Sequence, residues 1–487
     1  MKAMHPNRTF DEIAVGDRAE VSRTLTVNDL LVFAHASGNL NPIHMPSASG
    51  APTMLAEGQK EAIAPSSWVA GLVSCVLGTK LPGPGTLYRS QALTFHDRVH
   101  VGETVIAAVR VVAKGDGRAV RFATSVRRSD GMLIAEGEST VIAPAERGYL
   151  TEAELPEIVV QRHVAFDRLI GVARTLPALS TAVVCPNDGK ALKGALLAAE
   201  AGLIVPVLVG PRGATLKAAV EIGADLAAFE IVDADDDHDA AQRAVALVRE
   251  GHVANLMKGN LHSDVFLGAV VRKESGLRGV RRLSHVFVMD LPGRPRPLLI
   301  TDAAINIAPT LEMKVEIVQN AIDLARALGI EMPRVGILSA VETVNPAIQS
   351  TLDAAVLSKM AERGQIRGGI VDGPLAMDNA IDLGAARTKG IQSLVAGQAD
   401  VLVVPNLESG NMLAKELTFL AGAEAAGIVM GARVPLILTS RADDEQSRLA
   451  SAALALLVER WQRTGVGIAP VAVAAGEDRT RARCAAS

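Results

Sequence analysis

Apolar and polar positions follow two different patterns along the chain. Residues 87–143 alternate between apolar and polar side chains, with turn signals at Gly102, at 115–117 and at 130–131, which predicts antiparallel strands. Residues 62–80 are small and apolar throughout, as in a buried helix. The first region is therefore predicted to be an α+β domain in which an antiparallel sheet surrounds a central helix.

The second region, from about residue 164 onward, alternates short apolar runs with amphipathic segments. The runs TAVVCPN, IVPVLVG and HVANLMKG read as strands, and they are separated by KALKGALLAAEAG and HDAAQRAVALVREG, whose apolar residues recur at helical spacing. This alternation predicts a doubly wound α/β sheet with helices on both faces, divided into two lobes with a cleft between them.

A polar segment with Pro156, residues 145–165, separates the two patterns. The predicted boundaries are the α+β domain over 1–148, a linker over 149–163 and an α/β domain over 164–480. Within the α/β domain we expect lobe I at about 164–300 plus 440–480, and lobe II at about 301–439.

Composition excludes several classes of protein. The 49 basic and 53 acidic residues give a net charge of −4, which provides no broad positive surface for nucleic acid or an anionic membrane. The three cysteines lack metal-ligand spacing, and neither a signal core nor a run of about 18 apolar residues occurs. We expect a soluble, cytoplasmic enzyme with no nucleic acid or membrane partner.

Chemistry is expected first at residues 428–449, where an apolar run leads into a polar segment. Ligands bind outside the carboxyl ends of parallel strands, so Ser440, Arg441 and Asp443 are candidate catalytic residues. The alternative is a strand-to-helix turn in which Ser440 or Asp443 caps a helix over 444–459 and Arg441 pairs with an acidic neighbour.

Polar residues and glycines follow several other apolar runs in the same way. Each alone fits a solvated loop, but their repetition predicts a lined cleft. The candidate substrate-binding residues are Lys258, Asn306, Asp372, Asn411 and Lys415.

Two further patterns argue against a metal and a dinucleotide. The acidic run at 233–239 lacks the glycine and terminal glutamate of a calcium loop, so it is interpreted as a solvated helix start. No segment has the three-glycine spacing of a dinucleotide-binding turn. No metal ligand is assigned.

Residues from about 10 to 144 include FDEIAVGD, FAHASGNLNPIH, LGTKLPGPGTLY and FHDRVHVGETV, and this portion resembles the MaoC-like (R)-enoyl-CoA hydratases of the hot-dog fold. In that family an Asp and a His five residues apart activate water. Here the His position is His44, but the Asp position is Asn39, which cannot act as a base. Ser66 stands where the family has a glycine at the start of the central helix. A docking or oligomerisation module is the alternative.

Residues from about 164 to 457 include LMKGNLHSD, GVRRLSHVFVMDLP, LLITDAAINIAP, VDGPLAMDNAIDLGAARTKG and VPLILTSRADD, and this portion is similar to the phosphate acetyl/butyryltransferases. The resemblance implies that Ser440 contacts the reacting sulfur and that Arg441 holds phosphate and the developing oxyanion. The family's Asp base falls on Ser447, which leaves Asp443 as the preferred carboxylate. Asn406 stands at another usual Asp position.

Three hypotheses follow. The first is an acyltransferase that exchanges a short acyl group between coenzyme A (CoA) and phosphate, as a homo-oligomer and with no cofactor. The second is an enoyl-CoA hydratase with a structural C-terminal region. The third is a non-catalytic assembly protein that binds acyl-CoA.

Overall fold

The computed structural model describes residues 4–46, 62–151, 163–273, 276–439 and 444–469. The chain divides into two compact units, unit 1 over Met1–Gln161 and unit 2 over Arg162–Ser487.

The strands of unit 1 are β1 Met4–Pro6, β2 Arg18–Thr24, β3 Leu87–Phe95, β4 Thr104–Lys114, β5 Ala119–Arg128, β6 Leu133–Ile142 and β7 Tyr149–Thr151. Its α-helices are α1 Val27–Ser37 and α2 Ser66–Thr79, and its short 3₁₀ turns are Phe10–Glu12, Pro42–His44 and Asp116–Arg118.

The strands of unit 2 are β8 Leu179–Val184, β9 Ile204–Gly210, β10 Glu230–Asp233, β11 Asn255–Lys258, β12 Ser284–Asp290, β13 Leu298–Thr301, β14 Arg334–Leu338, β15 Ile370–Leu375, β16 Val401–Val403, β17 Glu424–Met430 and β18 Leu436–Ile437. Its helices are α3 Val164–Ala173, α4 Gly189–Glu200, α5 Arg212–Ile222, α6 Asp237–Arg249, α7 Ser263–Val270, α8 Leu311–Ala327, α9 Gln349–Glu362, α10 Met377–Ile381, α11 Leu383–Thr388, α12 Leu407–Leu420 and α13 Glu445–Thr464.

Unit 1 is an antiparallel sheet packed against α2. The five strands run in the order β2-β4-β5-β6-β3, and alternate residues of β4, from Val105 to Val111, are buried. Val73, Val76 and Leu77 of α2 share one core with these residues and with Phe122. The alternation of the sequence therefore buries one face of the sheet against the helix, which confirms the predicted hot-dog architecture.

Unit 2 contains one mixed sheet of eleven strands, in the order β10-β9-β8-β11-β18-β17-β12-β13-β16-β14-β15. Strands β8 to β11 and β18 are mutually parallel, as are β13 to β16. Between these blocks, β17 and β12 pair antiparallel with each other and with their outer neighbours. The two parallel blocks therefore point in opposite directions and meet at an antiparallel centre.

At this antiparallel centre, the path of residues 428–439 differs from the predicted one. We expected one buried strand there, but β17 ends at Met430 and the chain turns before β18 begins at Leu436. Gly431 turns with φ +94°, and a Cβ there would lie 2.2 Å from the carbonyl oxygen of Arg282. β18, which we expected in the second lobe, pairs with β11 of the first parallel block.

Helix ends follow the polar residues that precede them. The acidic run at 233–239 starts α6, where the side chain of Asp236 accepts a hydrogen bond from the backbone N–H of Asp239 at 2.9 Å. The interpretation of this run as a helix start is confirmed. Over the described ranges, no helix combines the length and hydrophobicity needed to cross a membrane.

Candidate functional site

A cavity of about 680 Å³ lies over the antiparallel centre of unit 2, and we call it the central cavity. Its size falls within the range of small-molecule sites. Its lining combines apolar side chains with cations, carboxylates and hydroxyls. The lining residues are Lys258, Leu261, His262, Ser263, His285, Phe287, Ala304, Asn411, Ala414, Lys415, Thr418, Phe419, Ala423, Glu424, Ala425, Leu438, Thr439, Asp444 and Ser447.

Lys258 supplies a buried positive charge to this cavity. It ends β11, is only 4% exposed, and its Nζ donates to the carbonyl oxygen of Gly259 at 3.3 Å. A Cβ on Gly259 would lie 2.4 Å from the carbonyl oxygen of Val184, so only glycine lets the chain turn there. The sequence thereby fixes a cation at the end of a buried strand, where an anion can bind.

Helix α12 supplies Asn411 and Lys415 to the wall. Asn411 donates from Nδ2 to the carbonyl oxygen of Ala303 at 3.4 Å. The helix begins after Asn406, whose Oδ1 accepts from the backbone N–H of Ser409 at 3.0 Å. An amide performs this capping as well as a carboxylate does, so Asn406 still starts the helix. Of the five predicted substrate-binding residues, Lys258, Asn411 and Lys415 share the central cavity.

The predicted catalytic residues Ser440, Arg441 and Asp443 lie outside the described residues. Their described neighbours in the sequence, Thr439 and Asp444, both line the central cavity. Asp444 is the N-cap of α13, because its Oδ1 accepts from the backbone N–H of Ser447 at 2.8 Å. The capping residue is therefore one that the alternative interpretation did not name.

Asn306 and Asp372 do not line the central cavity, which corrects our expectation for both. Asn306 is buried, and its Nδ2 donates to the carbonyl oxygen of Leu283 at 2.9 Å and to Oδ2 of Asp302 at 2.5 Å. Both amide hydrogens are used inside the protein, so Asn306 holds the turn after β13. Asp372 lies on β15 at the far edge of the sheet, and its Oδ1 accepts from the backbone N–H of Gly373 at 2.8 Å.

Two titratable residues of the cavity were missed from the sequence. His285 lies on β12 and is fully buried, which lowers the pKa of its imidazole to about 4, against the opposing charge of Asp302. Burial also raises the pKa of Glu424, on β17, while His163 lowers it. Glu424 is the one charged residue in the small-residue segment AGAEAAG, and His285 is the one imidazole in the strand segment LSHVFVMD; these were the available signals.

The candidate site of unit 1 lies where α1 ends. Oδ1 of Asn39 accepts from the backbone N–H of Asn41 at 3.2 Å. His44 is held through Nδ1, 2.9 Å from the carbonyl oxygen of Ile63. A carbonyl oxygen only accepts, so Nδ1 carries the hydrogen and Nε2 of a neutral imidazole is left as an acceptor. Ser66 is the first residue of α2, where backbone N–H groups lack partners within the helix.

These features define an α/β unit with a cavity lined in part by lysines, preceded by a hot-dog unit. Residues 237–456 match the family described as phosphate acetyl/butaryl transferase. A phosphate acetyltransferase of Rhizobium meliloti is 59% identical over 298 residues, which cover 61% of this chain and 94% of that protein. A phosphate butyryltransferase of Clostridium beijerinckii is 42% identical over 293 residues, 60% of this chain and 97% of that protein. The chain belongs to the phosphate acetyl/butyryltransferase family.

The two units differ in their relatives. A branched-chain phosphotransacylase of Enterococcus faecalis has 30% sequence identity and a TM-score of 0.51, over 58% of this chain and 99% of that chain. Residues 12–131, within unit 1, match the family described as MaoC like domain. The predicted combination of a MaoC-like domain with a phosphate acyltransferase domain is confirmed.

Proposed function

We propose that this chain exchanges a short acyl group between CoA and inorganic phosphate in the central cavity. The observation that carries the proposal is the lining of this cavity. Lys258 and Lys415 provide positive charge, and Thr439 and Asp444 flank the Ser440–Arg441 pair in the sequence. CoA thioester and phosphate are both substrates, so the transfer requires no resident cofactor or metal.

The lining suits both substrates. Leu261, Phe287, Leu438 and Phe419 offer an apolar surface to a pantetheine arm and an acyl chain. Lys258 and Lys415 both put an ammonium group in the lining, and ammonium groups bind phosphate oxygens through charge-assisted hydrogen bonds. The cavity thus brings an apolar thioester and a small anion together, and such positioning replaces a bimolecular encounter with a local one.

In this proposal Ser440 and Arg441 act on the reacting atoms. A phosphate oxygen attacks the thioester carbonyl carbon, and Arg441 stabilises the oxyanion that forms, because its guanidinium is permanently charged and planar. Ser440 donates a hydrogen bond to the sulfur. The C–S bond then breaks, and acyl phosphate and CoA leave. The names of the family relatives, acetyltransferase and butyryltransferase, support a short acyl group.

The test is phosphate-dependent release of CoA thiol from acetyl-CoA and butyryl-CoA, followed with a thiol reagent. Arg441→Ala is expected to abolish turnover and leave the fold intact by circular dichroism. Arg441→Lys is expected to stay well below wild type, since a point charge lacks the fork. Arg249→Ala, on the exposed face of α6, is the control. Wild-type rates for Arg441→Ala would contradict the proposed role.

Hydration of 2-enoyl-CoA by unit 1 is a second candidate function. The match to the MaoC-like family favours it, as does the imidazole of His44, which a hydrogen bond to the carbonyl oxygen of Ile63 holds in place. Asn39 offers no carboxylate, so we expect little or no hydration of crotonyl-CoA by the wild-type chain. Asn39→Asp should raise hydration at least about tenfold if only the base is missing. No gain would point to Ser66 or the surrounding pocket. A chain without either activity would instead be the acyl-CoA-binding assembly protein of the third hypothesis.

A homo-oligomer is part of the proposal. Met412, Phe419 and Leu420 lie exposed on α12, and an apolar face of this kind favours contact with a second protein surface. Light scattering on the full chain should give a mass above the 50.8 kDa of one copy, and a monomeric mass would contradict this expectation.

A further inference from the structure

A carboxylate and an imidazole face each other at the edge of the central cavity. Glu424, the first residue of β17, lines the cavity. Its Oε1 lies 3.6 Å from Nε2 of His163, the residue that precedes α3. Its Oε2 is buried and has no hydrogen-bond partner in the described ranges. The carboxylate of Glu424 therefore lies beside an imidazole, and its side chain, 23% exposed, lines the cavity.

The hydrogen bonds of His163 determine where a proton can sit. Its Nδ1 lies 3.2 Å from the backbone carbonyl oxygen of Asp290, which can only accept, so Nδ1 carries a hydrogen. In a neutral ring Nε2 then holds a lone pair, and it faces Glu424. Nε2 of His163 and Oε1 of Glu424 are 3.6 Å apart, so the imidazole faces the carboxylate at a distance longer than a hydrogen bond.

The surroundings favour proton uptake by Glu424. Burial raises the pKa of its carboxyl group and His163 lowers it, while the nearby carboxylates Asp444, Asp290 and Asp167 raise it further. Lys258, Lys415 and His285 line the same cavity. A carboxyl group with an elevated pKa transfers protons to and from a thiol more readily than an ordinary one, because the two proton affinities are closer.

The other groups near this position are committed elsewhere. The described lining contains two carboxylates, Glu424 and Asp444. Asp444 caps α13 through Ser447, and Ser447 itself carries a hydroxyl, which is no base at neutral pH. Of the two described carboxylates in the lining, Glu424 is thus the one that does not cap a helix.

We propose that Glu424 accepts the proton of the CoA thiol, and that His163 is a positioning residue that orients the Glu424 carboxylate. This inference rests on the proposed function. When acyl phosphate reacts with CoA, the Glu424 carboxylate takes the thiol proton, the sulfur forms a bond to the carbonyl carbon, and the carbon–oxygen bond breaks with its electron pair leaving on phosphate. In the opposite direction, the departing thiolate recovers the proton from Glu424.

The test compares Glu424→Gln with wild type in the direction from acetyl phosphate to acetyl-CoA, across pH 6 to 10. We expect kcat to fall about 10²- to 10⁴-fold at pH 7, with the KM for acetyl phosphate little changed. The deficit should shrink above about pH 9, because the CoA thiol, with a pKa of about 8.5, then ionises in solution. A role in folding alone would give the same deficit at every pH and would overturn the inference.

Further variants separate the roles. Glu424→Asp keeps a carboxylate and should retain more activity than Glu424→Gln. His163→Asn removes the charge that lowers the pKa of Glu424, so the acid limb of the pH profile should move to higher pH. Glu416→Gln, the same substitution at an exposed position of α12, is the control and should match wild type.

The outcomes distinguish this inference from the proposed function. Wild-type turnover together with full activity of Glu424→Gln would overturn the role of Glu424 and leave the transferase proposal standing. A wild-type chain that shows no transfer between CoA and phosphate would remove both.

Discussion

Replacing Asp302 by Asn tests how the turn that carries part of the cavity wall is held. Asp302 follows β13 and is 2% exposed. Its Oδ1 accepts from the backbone N–H groups of Ala304 and Ile305, both at 3.0 Å. Its Oδ2 accepts from the backbone N–H of Asn306 at 3.1 Å and from the Asn306 side chain at 2.5 Å. All four partners are donors, and Ala304 lines the central cavity.

The magnitude follows from this count of donors. Asn has the shape of Asp but only one acceptor oxygen, so its NH₂ group must face two donors in whichever orientation it takes. Two buried hydrogen bonds are lost, at about 1–3 kcal/mol each, and the expected loss of unfolding free energy is therefore about 2–6 kcal/mol. The turn that holds Ala304 should loosen as well, with a higher KM for substrate.

Urea unfolding followed by tryptophan fluorescence measures this loss. The two tryptophans are Trp68 in unit 1 and Trp461 in unit 2, so in a Trp68→Phe background the signal reports unit 2. Asp225→Asn is the matched control, since Asp225 is exposed and its Oδ1 accepts one backbone hydrogen bond, from Ala227, which Asn can replace. It should change stability by less than about 0.5 kcal/mol. A value as small for Asp302→Asn would refute the reasoning.

Three further predictions concern packing, a buried ion pair and pH. Gly410→Ala places a Cβ 2.7 Å from Cγ2 of Val404, so we expect a loss of about 1–3 kcal/mol and, because α12 must move, weaker substrate binding in the transfer assay. Lys314 and Asp353 form an ion pair at 2.7 Å with both side chains less than a tenth exposed. Lys314→Met should lower the free energy of unfolding in urea by about 3–5 kcal/mol, because it leaves the buried carboxylate of Asp353 without its partner. The double replacement Lys314→Met with Asp353→Leu should lower it by less. Equal losses would contradict this account. Burial raises the pKa of Asp290 to about 6, so the folded chain binds more protons than the unfolded chain between about pH 4 and 6. The free energy of unfolding contributed by this group therefore falls as pH rises through that window. In Asp290→Asn the urea midpoint of unfolding should fall less steeply between about pH 4 and 6 than in wild type. An unchanged slope of midpoint against pH would contradict this account.

Local patterns in the sequence predicted the architecture of each unit. Alternation over residues 87–143 predicted the antiparallel sheet, because successive side chains of a strand face opposite sides. The acidic run before α6 predicted a helix start, because a carboxylate satisfies free backbone N–H groups there. Lys258 at the end of a buried run predicted a cavity residue, because such an end faces a ligand site in an open α/β sheet.

Some site residues could not be assigned in this way. Asn306 looked like a substrate ligand at a strand end, but its amide hydrogens are donated to Leu283 and Asp302. The pattern of polar residues does not reveal whether a side chain points into a cavity or back into its own turn. The orientation of such a group depends on which acceptors the fold brings near it.

The sequence by itself determined the antiparallel sheet of unit 1, the alternation of strands and helices in unit 2, and the resemblance to known families. Each of these depends on residues close together in the chain or on sequence motifs in a fixed order. Tertiary structure alone decided that two parallel blocks meet at an antiparallel centre, and that His163 stands 3.6 Å from Glu424 across 261 positions of sequence. Contacts at such separation depend on strand order and packing rather than on local propensity.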